Sequence, residues 1–330
     1  MDRIISDEQI LTDSGFYWRE RDGVKVLVCK PLEDAGFTNG FSTRLGGVSS
    51  LKSEPPASTG GRNAESSRFH VSSSKSAEDG FFSLESETRN SKPASPPADA
   101  GGSGSELSLA GFDEDTSVNI HENRRRFLSV FEGKYKLTSV WQVHGDRIKT
   151  VRNEADVENT KEKFDGAISN LPGILAGVKT ADCVPVLIGD PLTRSYAAVH
   201  AGWRGTSMSI VSRAVKKMAE EFGSEPENLI CAIGPAALCG NYEIGQEVID
   251  AFAARFPAFE RYFSTTREGH ALVDLHLANE DQLTEMGVSR GNIYKAPFCT
   301  MERTDLFFSY RVEKRKYGRT GRLMSVIGLA

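Results

Sequence analysis

Much of what would narrow function at once is missing from this chain. Its five cysteines, Cys29, Cys183, Cys231, Cys239 and Cys299, are scattered and odd in number. They form no CxxC pair and no even framework, which excludes a disulfide-stapled secreted domain and makes a reducing cytoplasm the expected compartment. A basic excess is missing too. The net charge is −5 and no block of lysine and arginine stands out, so nucleic acid is not an expected partner. No apolar run exceeds strand length, which argues against a membrane span. The start, MDRIISDEQILTDSGFYW, carries acids early and has no apolar core, unlike a secretion signal. No repeat of fixed period is evident.

What is there suits a folded, water-facing protein: 39% hydrophobic and 26% charged residues over 330 positions, enough for one large domain or two small ones. From Leu51 to Glu106 the composition shifts to Ser, Pro, Gly and charge, with few aliphatic residues. Such a segment cannot bury enough apolar surface to offset its ordering entropy. It reads as a disordered insertion within one domain, because the fifty residues before it are too few for a core of their own. A linker is the alternative.

Outside residues 51–106, strands and helices mix. KVLVC (25–29), FSTR (41–44), NLICAIGPA, NIYKAP, LFFSYR and LMSVIGL read as strands. LTSVWQVHG (137–145) reads as a strand with RIKTV (147–151) as its hairpin partner. GILAGVKTADCVPVLIGD and SYAAVHAGW read as two further strands joined by DPLTRS. Residues 113–131 predict a helix capped at Asp115 or Thr116, with Ile120, Phe127 and Val130 inward. GTSMSIVSRAVKKMAEEFG (205–223) predicts one amphipathic helix, its apolar residues Met208, Val211, Val215, Met218 and Phe222 at helical spacing. GQEVIDAFAARF and DLHLANEDQLTEMG predict two more. Strands exceed what strict βαβ alternation gives, so an α+β fold is expected: a mixed-sheet sandwich flanked by helices.

Three side chains stand at strand ends beside Gly or Pro turns: His144 in WQVHG, Cys183 in TADCVP and His200 in VHAGWRG. A rigid sheet presents side chains to a cleft at such points. Two imidazoles and a thiolate make a zinc set with a vacant fourth position. Taken singly, each is more often a buried or hydrogen-bonded structural residue. HAGWRGT adds a glycine turn before a helix, where Arg204 could grip phosphate or carboxylate. FSTRLGGVSS, with Arg44, has the same character. In both, the alternative is a tight turn with a solvated arginine. Asp182 is read as a ligand-orienting residue, a proton carrier or a backbone cap. On a regular strand it would point away from Cys183. Gln142, Lys179 and Phe308 are candidates for lining the cleft, with packing as the alternative.

The stretches GFSTRLGGVS, WQVHGDRI, DGAISNLPGILAGVKTADCVPVLIGDP, AAVHAGWRGT, AIGPA…YEIG and DLFFSYR…TGRLMSVIGL together resemble the YfiH-like, laccase-domain family, from about Gly36 to the C-terminus. Its members are described as polyphenol oxidases, purine nucleoside phosphorylases and peptidoglycan editing factors. The resemblance implies a mixed α/β sandwich related to a toxin deamidase with a Cys–His pair. It implies zinc on His144, Cys183 and His200, and phosphate-dependent cleavage of purine nucleosides (adenosine, inosine, methylthioadenosine) with adenosine deamination at the same site. Purine nucleosides and phosphate are thus the expected small-molecule partners, to a monomer or weak homo-oligomer. Asp182 and Cys183 are the catalytic candidates; Arg44, Arg204 and Gln142 are the substrate and phosphate candidates. Many relatives read HGFSTR where this chain has Asn39. The chain also has LCGNYEIG in place of a cysteine-bearing motif, and extra basic residues between SYR and TGR.

Three rival chemistries remain. A laccase-like polyphenol oxidase would use copper, which can enter such a site in vitro, yet a histidine-rich three-copper cluster is hard to build from six histidines. A hydrolase editing cell-wall precursors would need the same metal water and anion site. A metal-free cysteine hydrolase would use Cys183 as nucleophile and a histidine as base. A fourth possibility is a non-enzymatic partner-binding protein with the Ser-rich segment as tether.

Overall fold

The computed structural model of the chain describes residues 7–51, 106–111, 115–158 and 161–330. In chain order the strands are β1 (Phe16–Arg21), β2 (Val24–Cys29), β3 (Phe37–Ser42), β4 (Leu45–Ser49), β5 (Lys136–Ser139), β6 (Ile148–Val151), β7 (Gly166–Ser169) and β8 (Ile174–Thr180). They continue with β9 (Val184–Asp190), β10 (Ser195–Ala201), β11 (Ile230–Ile233), β12 (Glu243–Gly245), β13 (Phe263–Arg267), β14 (His270–Val273), β15 (Ile293–Lys295) and β16 (Leu323–Leu329). The helices are α1 (Asp7–Asp13), α2 (Lys30–Asp34), α3 (Ser117–Ser129), α4 (Glu154–Glu158), α5 (Trp203–Ser207), α6 (Ile210–Phe222), α7 (Gln246–Ala253), α8 (Leu275–Glu285) and α9 (Arg315–Tyr317).

The strands make two six-stranded sheets, ordered β1-β2-β3-β16-β8-β5 and β15-β11-β9-β10-β7-β6, and a small sheet β12-β14-β13. Both large sheets are mixed. β5 runs parallel to β8, β6 to β7 and β15 to β11, and the remaining neighbours are antiparallel. This is the mixed α/β sandwich that the strand-rich pattern called for.

Period-two alternation assigns each face. On β9, Leu187 enters the cluster between the sheets with Phe37, Phe41, Val178, Tyr196 and Ile327, while Val186 and Ile188 turn outward against Val211, Val215 and Met218 of α6. With both faces covered, β9 reads as a continuous apolar run. On β2, Leu27 and Cys29 face the sandwich; Val24, Val26 and Val28 pack with Phe127 of α3. α6 ends at Gly223, which takes φ 72° as a left-handed cap that a Cβ would strain.

α3 is capped by Thr116, whose side chain accepts from Asn119 N at 3.2 Å, and Ile120, Phe127 and Val130 are buried as expected. Four expectations fail. β5 and β6 are not a hairpin. They lie in different sheets, each beside a parallel partner distant in sequence. The 173–190 run is two strands, one in each sheet, broken at Ala181–Cys183. The 205–223 helix is broken at Ser209, which takes φ 59°. LFFSYR is not a strand: Tyr310–Lys314 form a π-helical turn. β1, β4 and the small sheet were not read from sequence.

Leu51 and Glu106, which bound the Ser/Pro/Gly-rich segment, are buried, and Leu51 N donates to Glu106 Oε2 at 3.2 Å. The expectation of disorder over 51–106 does not hold at these two end residues, and residues 52–105 between them lie outside the described residues. No helix among the described residues is long and apolar enough to cross a membrane.

Candidate metal centre

The two crossings of the chain from the first sheet to the second build the centre. β5 leaves the first sheet at Ser139, and residues 140–147 lead to β6 in the second. Within that loop His144 takes φ 58°. β8 leaves the first sheet at Thr180 and β9 starts the second at Val184. Asp182 turns that corner at φ 86°, and Cys183 follows it. The irregular backbone removes the premise that Asp182 simply faces away from Cys183. His200 comes from β10, its Cα paired with that of Pro185 on β9. The donor atoms of His144, Cys183 and His200 all lie within 4.8 Å of one another. The two imidazoles meet edge to face, ring centroids 4.9 Å apart.

Two further features fit the trio to a metal. A Cβ on Gly202 would sit 2.9 Å from Cys183 Sγ and 3.2 Å from His144 Cδ2, so the glycine leaves the space the donors converge on. Then there is Asp165, which the sequence reading passed over. It precedes β7, and because β7 pairs with β10, Val199 against Gly166, it lies beside His200. His200 N donates to Asp165 O at 2.7 Å, and His200 Nδ1 is 2.9 Å from Asp165 Oδ1. The same carboxylate accepts from Val143 N (3.2 Å), His144 N (2.8 Å) and Gly145 N (2.7 Å). One buried acid therefore orients one imidazole and holds the loop of the other. With Nδ1 bound to Asp165, Nε2 is the nitrogen turned to the metal position. The only local signal was an acid set just before a strand in DGAIS.

The electrostatics follow from this contact set. Burial pushes the Cys183 thiol up, but His200 and His144 more than offset it and leave the thiol at about 6. Burial pushes His200 down, while Cys183 and Asp165 bring it up to about 9. Burial raises Asp165, but His200 and the Gly145 and Val143 N–H groups hold it below the usual carboxylate range. A thiolate is the metal-binding form of cysteine.

Asp182 sits behind the cluster. It accepts from Thr300 Oγ1 (2.7 Å), Ser309 Oγ (3.1 Å) and Arg311 N (2.7 Å), and burial outweighs these bonds, so its pKa is raised. It therefore ties the 300–311 segment to the Cys183 corner. Tyr242 lies near the sulfur: burial and then the Cys183 charge push its phenol up to about 12.

Several candidates prove structural. Arg44 is buried and ion-paired with Glu106 and Glu313, donates to Thr304 O at 2.7 Å, and lies over the Phe308 ring. Two carboxylates already neutralise it, so it is not open to phosphate. The glycines after it serve close packing: a Cβ on Gly46 or Gly47 would strike the backbone of Gly23 or Glu106. Gln142 is held at both ends, Nε2 donating to Lys179 O and Oε1 accepting from Lys179 N, each at 2.7 Å. Its amide extends the β5–β8 ladder and does not reach for substrate. Lys179 Nζ donates to Val140 O at 2.9 Å, and Phe308 is buried. Asn39 bonds Cys29 N (2.9 Å) and O (3.0 Å), a cross-strand link with no part in the centre. Arg204 is exposed, its guanidinium 4.7 Å from the Trp203 ring.

The sequence model of the multi-copper polyphenol oxidoreductase laccase family matches residues 98–330. A protein of Shigella flexneri named purine nucleoside phosphorylase YfiH is 32% identical over 246 residues, covering 74% of this chain and 92% of that one. A purine nucleoside phosphorylase of Bacteroides thetaiotaomicron is 38% identical over 164 residues, 49% of this chain and 60% of that one. Among solved structures, the crystal structure of Bacillus licheniformis hypothetical protein YfiH matches with a TM-score of 0.71 at 25% identity, covering 95% of this chain and 99% of that one.

Proposed function

The chain belongs to the multi-copper polyphenol oxidoreductase laccase family, and on that premise we propose that it is a zinc-dependent purine nucleoside phosphorylase acting on adenosine, inosine and methylthioadenosine, with adenosine deamination at the same site. The observation that carries this reading is the convergence of His144, Cys183 and His200 on the space left by Gly202. Two imidazole nitrogens and one thiolate suit zinc and leave a fourth position open. Zinc bound there would supply Lewis acidity and lower the pKa of a coordinated water to roughly 7.

The chain's own groups divide the remaining work. Asp165 holds the His200 Nδ1 proton and keeps Nε2 aimed at the centre. Arg204, exposed and 4.7 Å from the Trp203 ring, is a cation four residues after His200 that an approaching anionic substrate can meet. Asp182 braces Ser309 and Arg311 beside Cys183. In phosphorolysis a phosphate oxygen forms a bond to C1′ as the C1′–N9 bond breaks. The electron pair leaves on N9, and the proton given up by hydrogen phosphate ends there, giving neutral free base and pentose 1-phosphate. The other described histidines do not extend the donor set toward a multi-copper cluster. His121, His270 and His276 each turn a ring nitrogen to a backbone carbonyl, those of Ser117, Glu268 and Gly234.

The test is to incubate the pure, zinc-loaded protein with each nucleoside, with and without phosphate, and assay free base and pentose 1-phosphate. Absence of phosphate-dependent base release overturns the reading. A second reading, a metal-free cysteine hydrolase, is favoured by Asp165 bonding His200, whose ring nitrogen lies within 4.8 Å of the Cys183 sulfur, the set of an orienting group, a base and a nucleophile. Chelation separates the two. Activity lost with zinc and restored by zinc supports the first, and full activity after metal removal supports the second.

A further inference from the structure

Beside the centre lies a groove of about 370 Å³ whose walls include Trp203, Tyr242, Glu243, Arg267, His270 and Arg311. Short links tie it to the metal position on two sides. Trp203 follows His200 by way of Ala201 and Gly202. Arg311 donates its backbone N–H to Asp182, the residue before Cys183. The aromatic and charged side chains of the groove therefore stand at fixed places relative to the metal ligands.

The cations of this region are not equivalent. Arg44 is buried among carboxylates. Arg267 is paired with Glu243 at 3.2 Å. Arg311 is held differently: Nη1 donates to the Glu243 carbonyl at 3.0 Å, and the guanidinium lies 5.0 Å from the Tyr242 ring centroid. A carbonyl and a ring face fix the plane of the group without an ion pair to its guanidinium, although the Asp182 carboxylate lies close enough to feel its charge, and a planar fork held this way can present two N–H groups to two oxygens at once. Preorganisation of this kind lowers the entropy lost on gripping a planar or tetrahedral anion. A second charge in the groove points to the rest of the ligand. Glu247 folds its carboxylate back over Gly245, where a Cβ would lie 2.7 Å from Oε2. A carboxylate so placed repels a phosphate but accepts from a pair of neighbouring hydroxyls.

We propose that this groove is the phosphate and pentose half of the site, with Arg311 gripping the phosphate and Glu247 receiving the vicinal hydroxyls of the sugar. The assignment rests on the phosphorylase reading for its place in the reaction, but as a phosphate-binding site it is testable alone. Inorganic phosphate is titrated calorimetrically into the full-length, zinc-loaded protein and into Arg311→Ala, Arg311→Lys and Glu247→Gln, with zinc content and thermal midpoint recorded for each. Arg311→Ala is expected to weaken phosphate binding at least tenfold with zinc content unchanged, and Arg311→Lys to fall between, since it keeps the charge and loses the fork. Glu247→Gln is expected to bind phosphate as well or better while raising the nucleoside KM. Phosphate binding within twofold of the parent in Arg311→Ala, or no phosphate binding by the parent, overturns the assignment. Arg311-dependent phosphate binding without phosphate-dependent base release would leave the anion site standing and remove the phosphorylase reading. Base release whose phosphate KM ignores Arg311 would do the reverse.

Discussion

At the scale of residues, the centre depends on backbone that ordinary side chains avoid. His144 and Asp182 both take positive φ, a conformation costing roughly 1–2 kcal/mol for a residue with a Cβ. Each is held there by bonds that a regular strand would not supply. Asp165 takes the N–H groups of Val143, His144 and Gly145, and Asp182 takes the hydroxyls of Thr300 and Ser309 and the backbone N–H of Arg311. Asp165→Asn removes the charge that orients His200 while keeping the shape. Metal affinity is expected to fall about 10–100-fold, read by competition with a chelator at fixed pH, with little change in far-UV circular dichroism. Unaltered affinity would mean that Asp165 serves the loop alone.

At the scale of elements, the 304–313 segment is clamped from two sides. Arg44, on the turn after β3, bonds Thr304 O and Glu313, and Asp182 bonds Ser309 and Arg311 from the β8–β9 corner. Arg44→Met would leave the buried Glu106 and Glu313 carboxylates without the cation they share, keeping neutral donors such as Leu51 N and Thr320 Oγ1. The expected loss is about 3–5 kcal/mol, seen as a lower urea midpoint, whereas a change within 0.5 kcal/mol would show that those acids relax to solvent. α8 is pinned to the end of β11 by His276, whose Nε2 meets Gly234 O at 3.0 Å. Burial pushes this histidine down to about 4, despite Asp274 and Glu280 nearby and with Lys295 adding to the effect. The unfolded chain takes up the proton near pH 6.5, so the contribution is whole above that pH and fades as pH falls toward 4. It reaches up to about 3 kcal/mol. Urea midpoints measured between pH 7 and 4.5 should fall less steeply in His276→Asn than in the parent, and equal slopes would refute the assignment.

At the scale of the whole molecule, the sandwich gains its centre from crossings between layers. Each passage of the chain from the first sheet to the second delivers a potential donor, His144 on one and Cys183 on the other, and β10 adds His200. The long Ser/Pro/Gly-rich segment leaves and returns at a single point, because Leu51 N and Glu106 Oε2 are 3.2 Å apart. Replacing residues 52–105 by a short glycine linker should therefore keep metal-binding capacity and thermal midpoint near those of the parent, since closing a shorter loop costs less entropy. A collapse of the midpoint would show that the described fold leans on that segment.

The sequence by itself determined the fold class, the apolar β9 and β10 runs, the inward face of α3 with its cap narrowed to Asp115 or Thr116, and the identity of three potential ligands. These signals are local: periodicity, composition, and a Cys or His beside a turn. Tertiary structure alone decided the rest, because it depends on partners far apart in the chain. Whether β6 pairs with β5 or β7, and whether residues 173–190 form one strand or two, is set by which sheet supplies the open edge. Asp165 enters the centre only through the β7–β10 register. Arg44 and Arg311 look equally basic on paper. One is enclosed by two carboxylates brought from distant segments, and the other is laid on a tyrosine ring and makes no side-chain ion pair of that kind.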